Sequence, residues 1–106
     1  MSETNFIILF EKIRKNRGLT YKKMSEQLGY SLSYIFDIAK GNRIPTREVT
    51  NRIIEVYRLT PKSKRLLYDA IADVSNSLPY DVIDFLKNHP EEINKIIETM
   101  NNQKKL

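Results

Sequence analysis

From end to end, the apolar residues of this chain recur at helical spacing, and no stretch alternates with a period of two. Phe6, Leu9, Phe10 and Ile13 fall at i, i+3, i+4 and i+7, one stripe of an amphipathic helix. Punctuation follows the same logic. Ser or Thr stands before each of several runs, and Gly or a Pro break stands after. A first helix is expected from about Thr4 to Asn16, ended by Gly18. Thr20 caps a second through Leu28, with Tyr21, Met24, Ser25 and Leu28 inward and Gly29 just past its end. Ser31 caps a short third helix to about Lys40, with Ile35 and Ile38 inward. Thr46 caps a fourth, Arg47 to Arg58. Thr60-Pro61 opens a fifth, with Leu66, Leu67, Ala70, Ile71 and Val74 on one side and a break at Ser75–Ser77. Pro79 and Pro90 open a sixth and a seventh, and the tail Asn101–Leu106 is expected to fray. The expected fold is all-α.

Composition narrows what such a bundle can do. With no Cys among 106 residues, disulfides, thiolate metal sites and cysteine nucleophiles are excluded. The single His89 excludes a two-His metal site, and its place beside Pro90 reads as a surface or capping position. Asp69, Asp73, Asp81 and Asp84 lack the dense ligand loop that calcium needs, so a solvated acidic face is expected. No base accompanies Ser or Tyr in a nucleophile arrangement. The expectation is a protein that is not an enzyme and holds no metal or cofactor. No apolar run approaches the roughly 18–20 residues of a membrane span, so a cytoplasmic protein without membrane contact is expected.

The formal charge of +5 is unevenly spread. Residues 12–65 hold fourteen Lys/Arg against four Asp/Glu, whereas residues 66–98 hold two against seven. An opposite-sign split suggests two jobs in one chain. The boundary falls near residue 60, giving an expected first unit at 1–60 and a helical extension at 61–106 that covers the core or dimerises.

Segment 20–40 has the layout of a helix-turn-helix. A short helix ends at Gly29, where the turn needs a positive φ, and a second starts at Ser31 or Leu32. Ser25 supplies the small residue where the helices approach, and Leu28, Ile35 and Ile38 clamp them. The outer face of residues 32–40 is then free to enter a major groove.

The residues Arg17-Gly18-Leu19-Thr20, Leu28-Gly29, Ile35…Ile38 and Gly41-Asn42-Arg43-Ile44-Pro45-Thr46 resemble the XRE family, the Cro- and phage-repressor-type helix-turn-helix regulators, over about residues 5–60. The resemblance implies a five-helix, lambda-repressor-like DNA-binding domain, here with two or three additional C-terminal helices. It implies double-stranded DNA as partner, often through a homodimer on paired half-sites.

Carried over position by position, the resemblance implies phosphate contacts at Thr20, Tyr21, Lys22, Tyr34, Lys40, Asn42 and Arg43. The family more often has Gln where Tyr21 stands, but a tyrosine hydroxyl can also donate to phosphate. Base-reading positions correspond to Leu32, Ser33, Phe36 and Asp37, a set with no Arg for guanine and no Gln or Asn for adenine. Leu32 and Phe36 would meet thymine methyls, and Asp37 would accept from cytosine. Phe36 has two other readings: docking a protein, or packing under the C-terminal helices. The family often pairs an arginine at Arg14 with a glutamate at the position of Ala39, so Arg14 needs another partner or stays hydrated. The functional expectation is a sequence-specific transcriptional regulator, a repressor or autoregulator, inserting residues 32–38 into the major groove. The alternative is a protein-interaction module of antitoxin or anti-repressor type, using the scaffold or the acidic helices to bind a partner protein.

Overall fold

The computed structural model describes residues 5–104. Seven helices follow one another: α1 Asn5–Asn16, α2 Tyr21–Leu28, α3 Leu32–Ala39, α4 Arg47–Val56, α5 Pro61–Ser75, α6 Tyr80–Asn88 and α7 Pro90–Lys104. No strand occurs among the described residues. The all-α fold is as the periodicity requires, with five helices in one bundle and two more behind them. The expected start of α1 at Thr4 lies outside the described residues.

Four helices start in the same way. Thr20, Ser31, Thr46 and Thr60 each accept a hydrogen bond from the backbone N–H three residues on, at 3.0 to 3.2 Å. Each such cap satisfies one N–H that the helix cannot, a stabilisation of about 1 kcal/mol. Two endings differ from expectation. Helix α4 stops at Val56 because Arg58 turns left-handed, with φ 49°. Helix α7 continues to Lys104 where fraying was expected from Asn101.

The core is built by the first five helices. Phe6, Phe10 and Ile13 of α1 meet Met24 and Leu28 of α2, Ile35 and Ile38 of α3, Val49 and Ile53 of α4, and Leu67, Ala70 and Ile71 of α5. Helix α5 packs along α1, so the apolar core runs straight across the charge boundary near residue 60. Leu66, read from the sequence as inward, is instead about half exposed, because the buried stripe of α5 passes through Leu67 and Ile71. Polar ties add to the packing. The Arg17 guanidinium donates to the carbonyls of Ile13 and Tyr57, and Tyr57 donates through its hydroxyl to Gln27.

Helices α6 and α7 form an arm, and the described molecule is elongated at 55 × 32 × 23 Å. No residue of α6 is buried, although Val82, Ile83 and Leu86 are partly covered. The arm is held to the bundle by Tyr80, which packs against the core, and by polar contacts. Arg65 forms a two-pronged pair with Asp81, at 2.6 and 2.9 Å, and also binds Asp69. Tyr80 donates to the Pro45 carbonyl at 2.8 Å. Arg47 lies 5.3 Å from the Tyr80 ring centre, and its Nε sits 3.3 Å from Asp84, off the line of a hydrogen bond. Three of the four aspartates read as a solvated face are thus partnered by arginines. His89 follows α6, its Nδ1 2.8 Å from the Phe85 carbonyl and its ring stacked on Phe85. No described helix is long and apolar enough to cross a membrane.

Candidate nucleic-acid interface

Helices α2 and α3 are joined by the tight turn expected at Gly29. Its φ is 82°, its N–H donates to the Ser25 carbonyl at 2.9 Å, and Ser25 donates through its hydroxyl to the Tyr30 carbonyl. Arg52 of α4 donates to the Leu28 carbonyl, tying down the end of α2. Behind α3, Ile35 and Ile38 are fully buried, which fixes the helix's rotation about its own axis. The opposite face must then look outward.

That outward face carries Leu32 and Phe36, each 37% exposed, with Ser33 exposed and Asp37 partly so. Leu32 and Phe36 stand one helical turn apart on the same line. The structure resolves the three readings of Phe36 in part. It does not lie under the C-terminal helices; its ring is tilted against Tyr21 at 5.2 Å, with the Lys40 ammonium 5.6 Å from its centre. Phe36 is therefore held in place between α2 and the end of α3, leaving one edge open.

The loop after α3 curls back on that helix. Lys40 N–H donates to the Phe36 carbonyl and Asn42 N–H to the Asp37 carbonyl. Lys40, Gly41, Asn42 and Arg43 are all exposed. Arg43 reaches back over the Tyr34 ring at 5.3 Å and stands 4.0 Å from Asp37, a loose surface pair. Tyr34 also packs on Tyr30, and burial pushes its hydroxyl pKa up, keeping it a neutral donor. At the other edge, Thr20, Tyr21 and Lys22 open α2. Thr20 uses its hydroxyl oxygen on Lys23 N–H, and Lys22 is exposed.

Tyr21 holds a position that the sequence does not announce. Its hydroxyl donates to Glu11 of α1, and the same carboxylate takes Arg14 at 2.8 Å. Arg14 also donates to the Leu19 carbonyl at 2.8 Å and stacks over the Tyr21 ring at 4.5 Å. So Arg14 does find another partner: Glu11, one turn back on its own helix, takes the role that Ala39 cannot. The Arg14 hydrogen bond holds the Glu11 carboxyl below its ordinary range, and burial with the Glu11 contact pushes the Tyr21 hydroxyl up. The i, i+3 spacing of Glu11 and Arg14 was a readable signal for the pair; Tyr21 as its third member was not. Arg47 and Arg65, which seat the arm, had no local signal.

All eleven sequence-predicted positions therefore lie along α2, α3 and the loop after α3. Residues 7–68 match the sequence profile of a family described as helix-turn-helix domain. The chain belongs to that family. The helix-turn-helix domain spans over half of the chain and runs into α5, in keeping with a core that includes α5. A helix-turn-helix domain is a DNA-binding module, and in this chain the two helices joined by the tight turn at Gly29 are α2 and α3. No curated protein and no solved structure matches the chain.

Proposed function

We propose that this helix-turn-helix protein is a sequence-specific transcriptional regulator of the XRE type, a repressor or autoregulator, acting as a homodimer in the cytoplasm. The observation that carries this reading is the outward face of α3 with cations at its end: Leu32, Ser33 and Phe36 are exposed, Lys40 stands over the Phe36 ring and Arg43 over Tyr34 beside Asp37, and Lys22 is exposed in the first turn of α2. Residues 32–38 enter the major groove. Leu32 and Phe36 contact thymine methyls, Ser33 serves either base partner, and Asp37 accepts from cytosine N4. Lys22, Tyr34, Lys40, Asn42 and Arg43 contact phosphates through their side chains. Thr20 and Tyr21 have committed their side chains to Lys23 and Glu11, so they serve through the backbone at the N-terminus of α2, where helix N–H groups lack internal partners. Occupancy of an operator suffices for repression, and nothing in this scheme needs a further ligand.

The test is a gel-shift or anisotropy titration on DNA selected from random pools, repeated across a salt series. With Lys22, Lys40 and Arg43 each neutralising one phosphate, the log–log slope is about −3 per chain and about −5 for a dimer, at roughly −0.9 per phosphate. Tight binding insensitive to salt would overturn the reading. For a dimer, selected half-sites stand about 34 Å apart, one turn of DNA.

A further inference from the structure

Helix α7 is an anomaly in an otherwise economical fold. Ile93, Ile96, Ile97 and Met100 make a single stripe at i, i+3, i+4 and i+7, yet Ile96, Ile97 and Met100 are 47, 48 and 49% exposed. The helix packs chiefly on α6, which has no buried residue of its own. A 15-residue helix standing alone is marginal in water, and a row of half-exposed isoleucines is not the scattered exposure of an ordinary surface.

Charge says what covers the stripe. Residues 90–98 carry Glu91, Glu92 and Glu98 against Lys95, while residues 101–106 carry Lys104 and Lys105 and no acid. The sequence is thus acidic where α7 starts and basic from Lys104, where the described helix ends, onward. We propose that α7 pairs antiparallel with α7 of a second copy of this chain, about a twofold axis beside Ile96 and Ile97. This deepens the dimer named above and rests on it, but it does not depend on DNA. Around that axis Ile93 faces the second copy's Met100, and Ile96 faces its Ile97. The acidic start of each helix lies beside the basic end of the other, and the two helix dipoles oppose. A parallel pair would instead set acid beside acid. The acidic start also disfavours DNA as the occupant.

The chain has no cysteine, so introduced ones report cleanly. In a mixture of Ile93→Cys and Met100→Cys chains, the antiparallel pair places residue 93 opposite residue 100. Two copies of residue 93 are then offset by seven residues, about 10 Å along the axis, beyond the roughly 7 Å that a disulfide spans between α-carbons. The expected product is the mixed 93–100 cross-link, with little 93–93 or 100–100. Sedimentation without DNA should show a concentration-dependent shift to the mass of two chains, lost in Ile97→Glu while the helical signal and melting of the bundle persist.

A predominant 93–93 product overturns the antiparallel arrangement. A dimer that survives Ile97→Glu overturns the interface, as does a wild-type chain that stays monomeric up to its solubility limit. The rival seat for α7 of the second copy is the open groove of about 410 Å³ between α1 and α5, lined by Ile8, Leu9, Leu66 and Ala70. A cross-link between Ile97→Cys and Leu66→Cys chains, in place of 93–100, also overturns the proposal. These outcomes are separable from the DNA reading. A monomeric wild type that still binds a single half-site with strong salt dependence sinks the dimer and its interface but leaves the DNA-binding reading standing, whereas a dimer with no DNA binding sinks the regulator alone.

Discussion

The five-helix bundle and the α6–α7 arm use similar residues to opposite ends. Both carry isoleucines at helical spacing. In the bundle, Ile35, Ile38, Ile53 and Ile71 are 0 to 1% exposed, whereas Ile96 and Ile97 in the arm are half exposed. The difference is one of neighbours. Each bundle helix meets several others, while α7 meets chiefly α6. The bundle is therefore held by burial and the arm chiefly by Tyr80 and by ion pairs, with Arg65 on Asp81 and Arg47 beside Asp84 at the seam. An amphipathic stripe shows that a helix needs a partner; it does not say that the partner lies in the same chain.

The sharpest break of that contrast is a pair of truncations. Ile35→Ala should cost about 2–5 kcal/mol of stability, the range for emptying a filled core site. Ile97→Ala, measured at a dilution where the chain is monomeric, should cost less than about 0.5 kcal/mol, as for an ordinary surface change. Equal losses in urea denaturation would erase the distinction between the two regions.

The bundle also carries the proposed DNA face and the arm does not. Replacing Lys40 and Arg43 with Ala should flatten the salt dependence of DNA binding by about 2 in log–log slope for each chain of the dimer, one unit per lost phosphate contact. Replacing Lys87 and Lys95 should leave it unchanged. Next in size is Gly29→Ala. A β-carbon there meets nothing closer than Arg52 at 3.7 Å, so the expected loss of about 1–2 kcal/mol comes from the left-handed φ alone. At Gly41, φ 81°, a β-carbon would also come within 2.7 Å of Ile7 Cδ1, the end of a side chain that can turn away, so Gly41→Ala should cost about as much as Gly29→Ala in thermal melts.

Smaller still is the seam. Arg65→Ala should cost at most about 1 kcal/mol, as exposed ion pairs do. Its signature is regional: hydrogen exchange should quicken in α6 and α7 and stay unchanged in α1 to α4. The smallest effect concerns Glu11. Its carboxyl is held below the ordinary value of 4.5, chiefly by the Arg14 hydrogen bond. A lowered folded value contributes stability that is present above pH 4.5 and is lost as pH falls through the lowered value. Melting temperatures of wild type and Glu11→Gln should differ at neutral pH and converge in acid.

Much of the bundle was legible because its signals are local. A Ser or Thr cap, a stripe and a Gly or Pro stop lie within one helix's length, and Thr20, Ser31, Thr46 and Thr60 all cap as their positions imply. The candidate face was legible in position for the same reason: burial of Ile35 and Ile38 dictates which residues of α3 point out. What those residues hold on to was not. Phe36 against Tyr21, Arg43 against Tyr34 and Asp37, and Tyr21 against Glu11 are contacts across helices or loops.

By itself the sequence determined seven helices, their boundaries to within a few residues, and the turn at Gly29, since backbone propensity, capping and periodicity act over one or two turns of chain. Only the tertiary structure decided that the core passes through α5 regardless of the change in charge at residue 60, that Arg14 closes on Glu11 and Tyr21, and that the last apolar stripe stays open. Those outcomes depend on which faces meet in space. Packing is set by the complementarity of surfaces far apart in sequence, a quantity that no local pattern contains.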